Sequence, residues 1–186
     1  MVETVRGTML NYTYVDNSNV FIEGRRIAAV KNGLATDIVD AMNRRIVDHS
    51  WNIDYGKLHQ FVCGDKSEIG GAKLWGSPPP GDSFWQMVKS KGFDVKTFDK
   101  SVAGTEKKVD VAIAHQMTKD AYTVIDKANS EITLVSGDKD FVPVVEDLVA
   151  SGFTVTVAFW DHAARELRDA ASSFVSLNHW HDDLAR

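Results

Sequence analysis

Glu131-Ile132-Thr133-Leu134-Val135-Ser136-Gly137-Asp138-Lys139-Asp140 is the stretch on which the reading of the whole chain turns. Its first half is a short run of β-branched and aliphatic residues, the mark of a buried strand. The run stops in a polar turn, Ser136 to Asp140, which opens a helical pattern reaching about Ala150 and halted by Gly152. A second buried run follows at residues 153–160. Strand, helix, strand in that order is a βαβ unit, and such units build parallel sheets.

The same alternation extends outward in both directions. Residues 11–15 read as a strand that ends in Asp16-Asn17-Ser18-Asn19. A long helical region over residues 22–49, broken near Gly33, comes next, and residues 51–71 look loop-prone. Residues 72–75 form a short strand. Residues 76–82 hold Pro78, Pro79 and Pro80, which cannot occupy a central strand and so make a loop. A helix over 83–91, a strand over 93–98, a helix over 109–127, a helix over 163–171 and a last strand over 173–177 complete the pattern. The expectation is one α/β domain over residues 1–186 with a mainly parallel central sheet and an extended helical insertion at about 22–71.

Composition narrows the function. The formal net charge is −5, so the chain lacks the basic surface of a general nucleic-acid binder. A nucleic-acid partner would need local basic patches or bound cations, which invert the local sign. Cys63 is the single cysteine, which excludes an intrachain disulfide and a cysteine-based zinc site. No apolar run approaches the ~20 residues that span a bilayer, and residues 1–14 carry no signal-peptide pattern. No membrane association and a cytoplasmic location are expected on those grounds.

Four aspartates stand out by position. Asp16 follows one strand, and Asp138 and Asp140 follow another. Ligands in open α/β sheets bind beyond the carboxyl ends of the strands, so both groups can face one crevice. Each admits a plainer reading as an Asx turn or helix cap. Two acids two residues apart exceed what one cap needs, however, and their repulsion is costly without a cation between them. Asp110 lies at the start of the helix placed at 109–127, where an acid also favours the helix dipole. On that helix Val109, Ile113, Met117, Ala121 and Val124 share one face, and Gln116 and Asp120 point along it, either at its wet edge or into a site. An all-oxygen set of this kind suits Mg²⁺ or Mn²⁺.

Three motifs carry a resemblance. They are residues 15–20 (Val-Asp-Asn-Ser-Asn-Val), 106–114 (Glu-Lys-Lys-Val-Asp-Val-Ala-Ile-Ala) and 134–143 (Leu-Val-Ser-Gly-Asp-Lys-Asp-Phe-Val-Pro), supported by residues 152–157 and 167–177. Together they resemble the NYN domain family of PIN-like nucleases, including its bacterial LabA-like branch, over about residues 12–177. The resemblance implies a PIN-like Rossmannoid three-layer sandwich and a metal-dependent endoribonuclease leaving a 5′-phosphate and a 3′-hydroxyl. By position it makes Asp16, Asp110, Asp138 and Asp140 the catalytic and metal-holding set, with Asn17 and Asn19 as supporting polar residues and Ser136 beside them. One departure is Gln116, where many relatives carry an acid; Asp120, one helical turn on, is a candidate to compensate.

RNA is the expected partner, DNA is not excluded, and a homodimer is left open. Arg25 and Arg26 follow Asp16 closely and are candidates for holding phosphates at the rim, as are Lys108 and Lys139. The Ser77–Asp82 loop is a candidate second rim, with Trp75 and Trp85 as base-stacking surfaces beside it. The main alternative is a non-catalytic RNA-binding or regulatory module weakened by Gln116. A haloacid-dehalogenase-like phosphatase needs a second acid two residues after Asp16, where Ser18 stands; a Toprim-like nuclease needs an early glutamate that Glu23 is poorly placed to provide. His179-Trp180-His181-Asp182 reads as a mobile polar tail.

Overall fold

The computed structural model describes residues 9–77, 81–98 and 105–186, with side chains from residue 108 onward in the last stretch. Six strands form one sheet: β1 (Leu10–Asp16), β2 (Ile69–Gly76), β3 (Asp94–Thr97), β4 (Ser130–Val135), β5 (Thr154–Phe159) and β6 (Ser173–Ser176). Their order is β3-β2-β1-β4-β5-β6 and every pairing is parallel. The helices are α1 (Asn17–Lys31), α2 (Ile38–Asn43), α3 (Tyr55–Cys63), α4 (Asp82–Ser90), α5 (Thr105–Thr123), α6 (Val142–Ala150) and α7 (Arg165–Ala170). Among the described residues no helix is long and apolar enough to cross a membrane.

Alternation along the strands splits the core into two layers, because successive side chains leave a strand on opposite faces. Val15, Leu74 and Val135 pack with Val20 and Ile27 of α1, Leu58 and Val62 of α3, and Val88 of α4. Tyr14, Trp75 and Leu134 turn the other way, onto Val109, Ile113 and Met117 of α5 and Val145 and Leu148 of α6. The chain leaves β1 toward β2 and later returns to β4 on its other side. The carboxyl ends of β1 and β4 therefore flank the point where strand order reverses, the place such sheets offer to ligands.

Several expectations need correction. The helical region at 22–49 does break at Gly33, but its bounds differ: α1 starts at Asn17, directly behind the capping Asp16, and stops at Lys31, and α2 covers only Ile38–Asn43. The supposed loop at 51–71 contains α3, whose N-cap Asp54 accepts from the N–H groups of Gly56 and Lys57. On α5 the apolar stripe does not continue to Val124, which is 61% exposed; Ile125, beyond the helix end, is buried instead. The tri-proline segment lies outside the described residues.

The C-terminal stretch is not a mobile tail. His181 is 2% exposed. Its ring stacks on Trp51 with centroids 4.7 Å apart and meets the edge of Trp160. Its Nε2 lies 3.0 Å from the Gly24 carbonyl oxygen. Beyond it Leu184 is buried, Asp54 N–H donates to the Leu184 carbonyl (2.8 Å), and Arg186 N–H donates to that of Asn52 (2.9 Å).

Gly24 makes this packing fit. A Cβ there would stand 2.5 Å from Trp51 Cη2 and 2.8 Å from Trp160 Cζ2. Neither indole is a flexible neighbour, because each is itself hydrogen-bonded: Trp160 Nε1–H donates to the Val20 carbonyl (2.9 Å) and Trp51 Nε1–H to that of His181 (3.3 Å). Gly24→Ala is expected to cost about 1–3 kcal/mol, the usual range for overpacking, read as a lower Tm in circular-dichroism melting. An unchanged Tm would mean the indoles yield freely.

Candidate metal centre

Asp16 is both the last residue of β1 and the N-cap of α1, with Oδ1 accepting from Asn19 N–H at 3.1 Å. Asn19 then reaches across the sheet. Its Oδ1 accepts from Gly137 N–H at 2.9 Å and from the Ser136 hydroxyl at 3.2 Å. Ser136 Oγ accepts in turn from Asp138 N–H at 3.3 Å, and Asp138 Oδ1 from Asp140 N–H at 2.9 Å. One chain of bonds thus sets the turn after β1 against the turn after β4.

Residue 137 must be small for this turn to close. A Cβ on Gly137 would lie 2.2 Å from the Phe159 ring, and the Gly137 carbonyl accepts from Ala164 N–H at 3.0 Å. Behind Asp138 a 3-10 turn, Lys139–Phe141, buries Phe141 completely and passes into α6. α5 supplies Asp110 from its second turn. One carboxylate oxygen each from Asp110, Asp138 and Asp140 lies within 4.8 Å of the others.

Asp110 is shared by two cavities. Asp16, Asp110 and Asp138 line a cavity of about 180 Å³ together with Asn19, Glu23, Arg26 and Ser77. Asp110 and Asp140 line a wider groove of about 590 Å³ with Lys139, Pro143 and Glu166.

The electrostatics favour a cation. Asp16 is 5% exposed. Burial raises its carboxyl to about 7, with the Asn19 N–H opposing and the fields of Asp110 and Asp138 adding to the rise. Carboxylates so placed repel one another unless a positive ion lies between them, and an all-oxygen set is what a hard divalent cation takes. On donor chemistry and spacing, the residues fit Mg²⁺ or Mn²⁺.

The other candidate residues divide. Asn17 faces away from the cavity: its Oδ1 accepts from Tyr55 O–H at 2.6 Å and fastens α1 to α3. Asp120 is not positioned as a replacement ligand. It is buried, ion-paired to Lys73, and accepts from Tyr14 O–H (2.7 Å) and Gln116 Nε2–H (2.8 Å). Burial pushes its carboxyl up, but the bonds from Lys73, Tyr14 and Gln116 outweigh that and hold it below its usual value. The Gln116 amide is therefore spent on Asp120.

Arg25 turns elsewhere, donating to the Trp51 carbonyl (3.0 Å) and Asn52 Oδ1 (2.8 Å), with its guanidinium over Phe21. Arg26 lines the smaller cavity, Lys139 lines the groove, and Lys108 is exposed on α5. Trp75 and Trp85 are 1% and 5% exposed and offer no stacking surface; the exposed indole is Trp180. Glu23, weighed in the sequence only as a Toprim-like glutamate and set aside, lies in the cavity wall. Its spacing of seven residues from Asp16, two turns along one helix, was the available signal.

The NYN domain family model matches residues 14–178. No curated protein matches the chain. A crystal structure of a protein of unknown function from Vibrio parahaemolyticus superposes with a TM-score of 0.68, covering 98% of this chain and 99% of that one at 21% identity. At that identity the likeness is one of fold.

Asp16 also makes stability depend on pH. Its carboxyl is raised from 3.8 to about 7, so its stabilising contribution is complete below about pH 4 and is lost as pH rises through about 7. In chelator, Asp16→Asn is expected to raise Tm at pH 8 and to change it little at pH 5. Equal destabilisation at both values would overturn this account.

Proposed function

The chain belongs to the NYN domain family, a branch of the PIN-like nucleases, and from that premise we propose that it is a metal-dependent endoribonuclease acting at Asp16, Asp110, Asp138 and Asp140. The observation that carries the reading is the meeting of three carboxylate oxygens within 4.8 Å at the strand-order reversal, with the buried Asp16 on the same cavity. We further propose that residues 1–186 act as one domain.

Asp110, Asp138 and Asp140, with Asp16, would hold Mg²⁺ or Mn²⁺. A divalent cation there supplies Lewis acidity toward a phosphate oxygen and lowers the pKa of water. Asn19 fixes the two turns that present these carboxylates, with Ser136 as its partner. Asp138 is held by its bond from Asp140 N–H, so both acids of this turn are presented in one orientation. Hydrolysis by water needs no covalent intermediate. Cys63 is unsuited to provide one: it is buried and its thiol is pushed up to about 11 by that burial. Expected products are a 5′-phosphate and a 3′-hydroxyl. The arrangement reads phosphate rather than base, so RNA is proposed on family grounds and DNA belongs in the test.

A second reading rests on Gln116. Its amide points to Asp120 and brings no extra carboxylate to the centre, which suits a module that binds RNA without turnover.

Cleavage of end-labelled single-stranded RNA and DNA is measured with Mn²⁺ or Mg²⁺, with EDTA, and with Asp138→Asn. RNA cleavage is expected only with metal, and the variant is expected to lose about a hundredfold or more in rate. Equal rates for a folded Asp138→Asn would sink the nuclease reading; retained RNA binding without turnover would establish the binding module.

Metal binding should also report on Asp16, which must give up its proton. Mn²⁺ is expected to raise Tm more at pH 8 than at pH 5.5. An equal increment at both values would exclude Asp16 from the cation's surroundings.

A further inference from the structure

Glu23 and Arg26 of the smaller cavity's wall form, with His162, a trio that the carboxylate centre does not use. Arg26 Nη1 donates to Glu23 Oε1, and His162 Nε2 lies 2.8 Å from Glu23 Oε2. All three side chains are largely buried, at 18%, 11% and 15% exposure for Arg26, Glu23 and His162. Arg26 and Glu23 are neighbours on α1, whereas His162 comes from the turn after β5, 139 positions away in the chain.

Glu23 is satisfied on both oxygens by protein partners, so its charge is committed to fixing the guanidinium. The guanidinium itself is not satisfied. Arg26 Nε is buried and has no hydrogen-bond partner among the described residues. With Nη1 taken by Glu23, the unoccupied side of the group is the edge formed by Nε–H and Nη2–H. That edge is the fork that matches two oxygens of one phosphate. A buried N–H of a charged group is costly to leave without an acceptor, and the residue that carries this one lines the cavity it shares with Asp16 and Asp138.

We propose that Arg26 is an anion subsite that takes one phosphate of the substrate strand beside the carboxylate centre, with Glu23 and His162 as its positioning residues. The proposal rests on reading that centre as a phosphodiesterase site. It adds which group grips the strand. Arg26 is the cation among the described residues lining this cavity. At about 180 Å³ the cavity is sized for a phosphate group and part of a sugar, so the grip is on the backbone and independent of base identity. The carboxylates and the guanidinium divide the work, the first holding the divalent ion and the second the phosphate.

The test uses the full chain and two probes: inorganic phosphate, followed by ³¹P NMR titration, and a single-stranded 12-nucleotide RNA, followed by cleavage kinetics with Mn²⁺. Arg26→Lys keeps the charge and stem but not the fork. It is expected to weaken phosphate binding about tenfold and raise KM about tenfold, with kcat within about threefold, as for loss of uniform binding. His162→Ala is expected to shift KM in the same direction, and His162→Gln, whose amide N–H can still reach Glu23, to restore it. Inorganic phosphate should compete with the RNA.

Unchanged KM and phosphate binding in Arg26→Lys would overturn the subsite while leaving the nuclease standing. Arg26-dependent phosphate binding without any cleavage would overturn the nuclease reading and leave the subsite. Arg26-dependent phosphate binding that does not compete with RNA would assign the site to free phosphate and overturn its role on the strand. A His162→Gln variant no better than His162→Ala at equal Tm would remove His162 from the positioning pair.

Discussion

Asn19 carries the constraint on which the placement of the carboxylates depends. Its backbone N–H donates to Asp16 while its side-chain oxygen accepts from Gly137 and Ser136, so one residue spans both strand ends. A parallel sheet brings the carboxyl ends of β1 and β4 side by side, but adjacency alone does not orient two polar turns. Left unbonded, the N–H groups in these turns would each carry the penalty of a buried, unmade hydrogen bond. The Asn19 bridge turns that penalty into a fixed geometry and sets Asp16 and Asp138 on one cavity. The repulsion between those carboxylates is thereby built into the fold.

The chain treats its inner acids in opposite ways. Asp110 and Asp120 share α5, ten residues apart in sequence, yet only Asp110 belongs to the carboxylate group. Asp120 is neutralised by Lys73 and further bonded by Tyr14 and Gln116, so it serves the core between α5 and the sheet. Glu23 has a third fate, held between a guanidinium and an imidazole. Three environments set one functional group in three ways: a carboxyl grouped with other carboxylates, one paired with a lysine, and one held between two bases.

How far the sequence could be read follows from the range of the interactions. Asp16, Asp138 and Asp140 were legible because a strand end and a turn are local features, and the parallel sheet follows from the alternation that precedes them. α3 was not, because Gly56 in its first turn and the polar His59 and Gln60 at its centre weaken the stripe that Tyr55, Leu58 and Val62 bury. The role of Asp120 hinges on Lys73, 47 positions away, and that of Glu23 on His162, 139 positions away. No local pattern encodes those meetings. The C-terminal stretch misled for a different reason: histidine and tryptophan among acids look solvent-bound, but the flat imidazole of His181 fills a slot between two indoles.

Cys63, the last residue of α3, is fully buried beneath that helix, and the chain has no other thiol. A thiol reagent can therefore label this protein only when the core around the end of α3 opens. The rate of modification becomes a clock for that one opening event, uncomplicated by other sites. It times the breathing of the layer that carries Tyr55, and through Tyr55 the Asn17 end of α1, on a scale of seconds to hours.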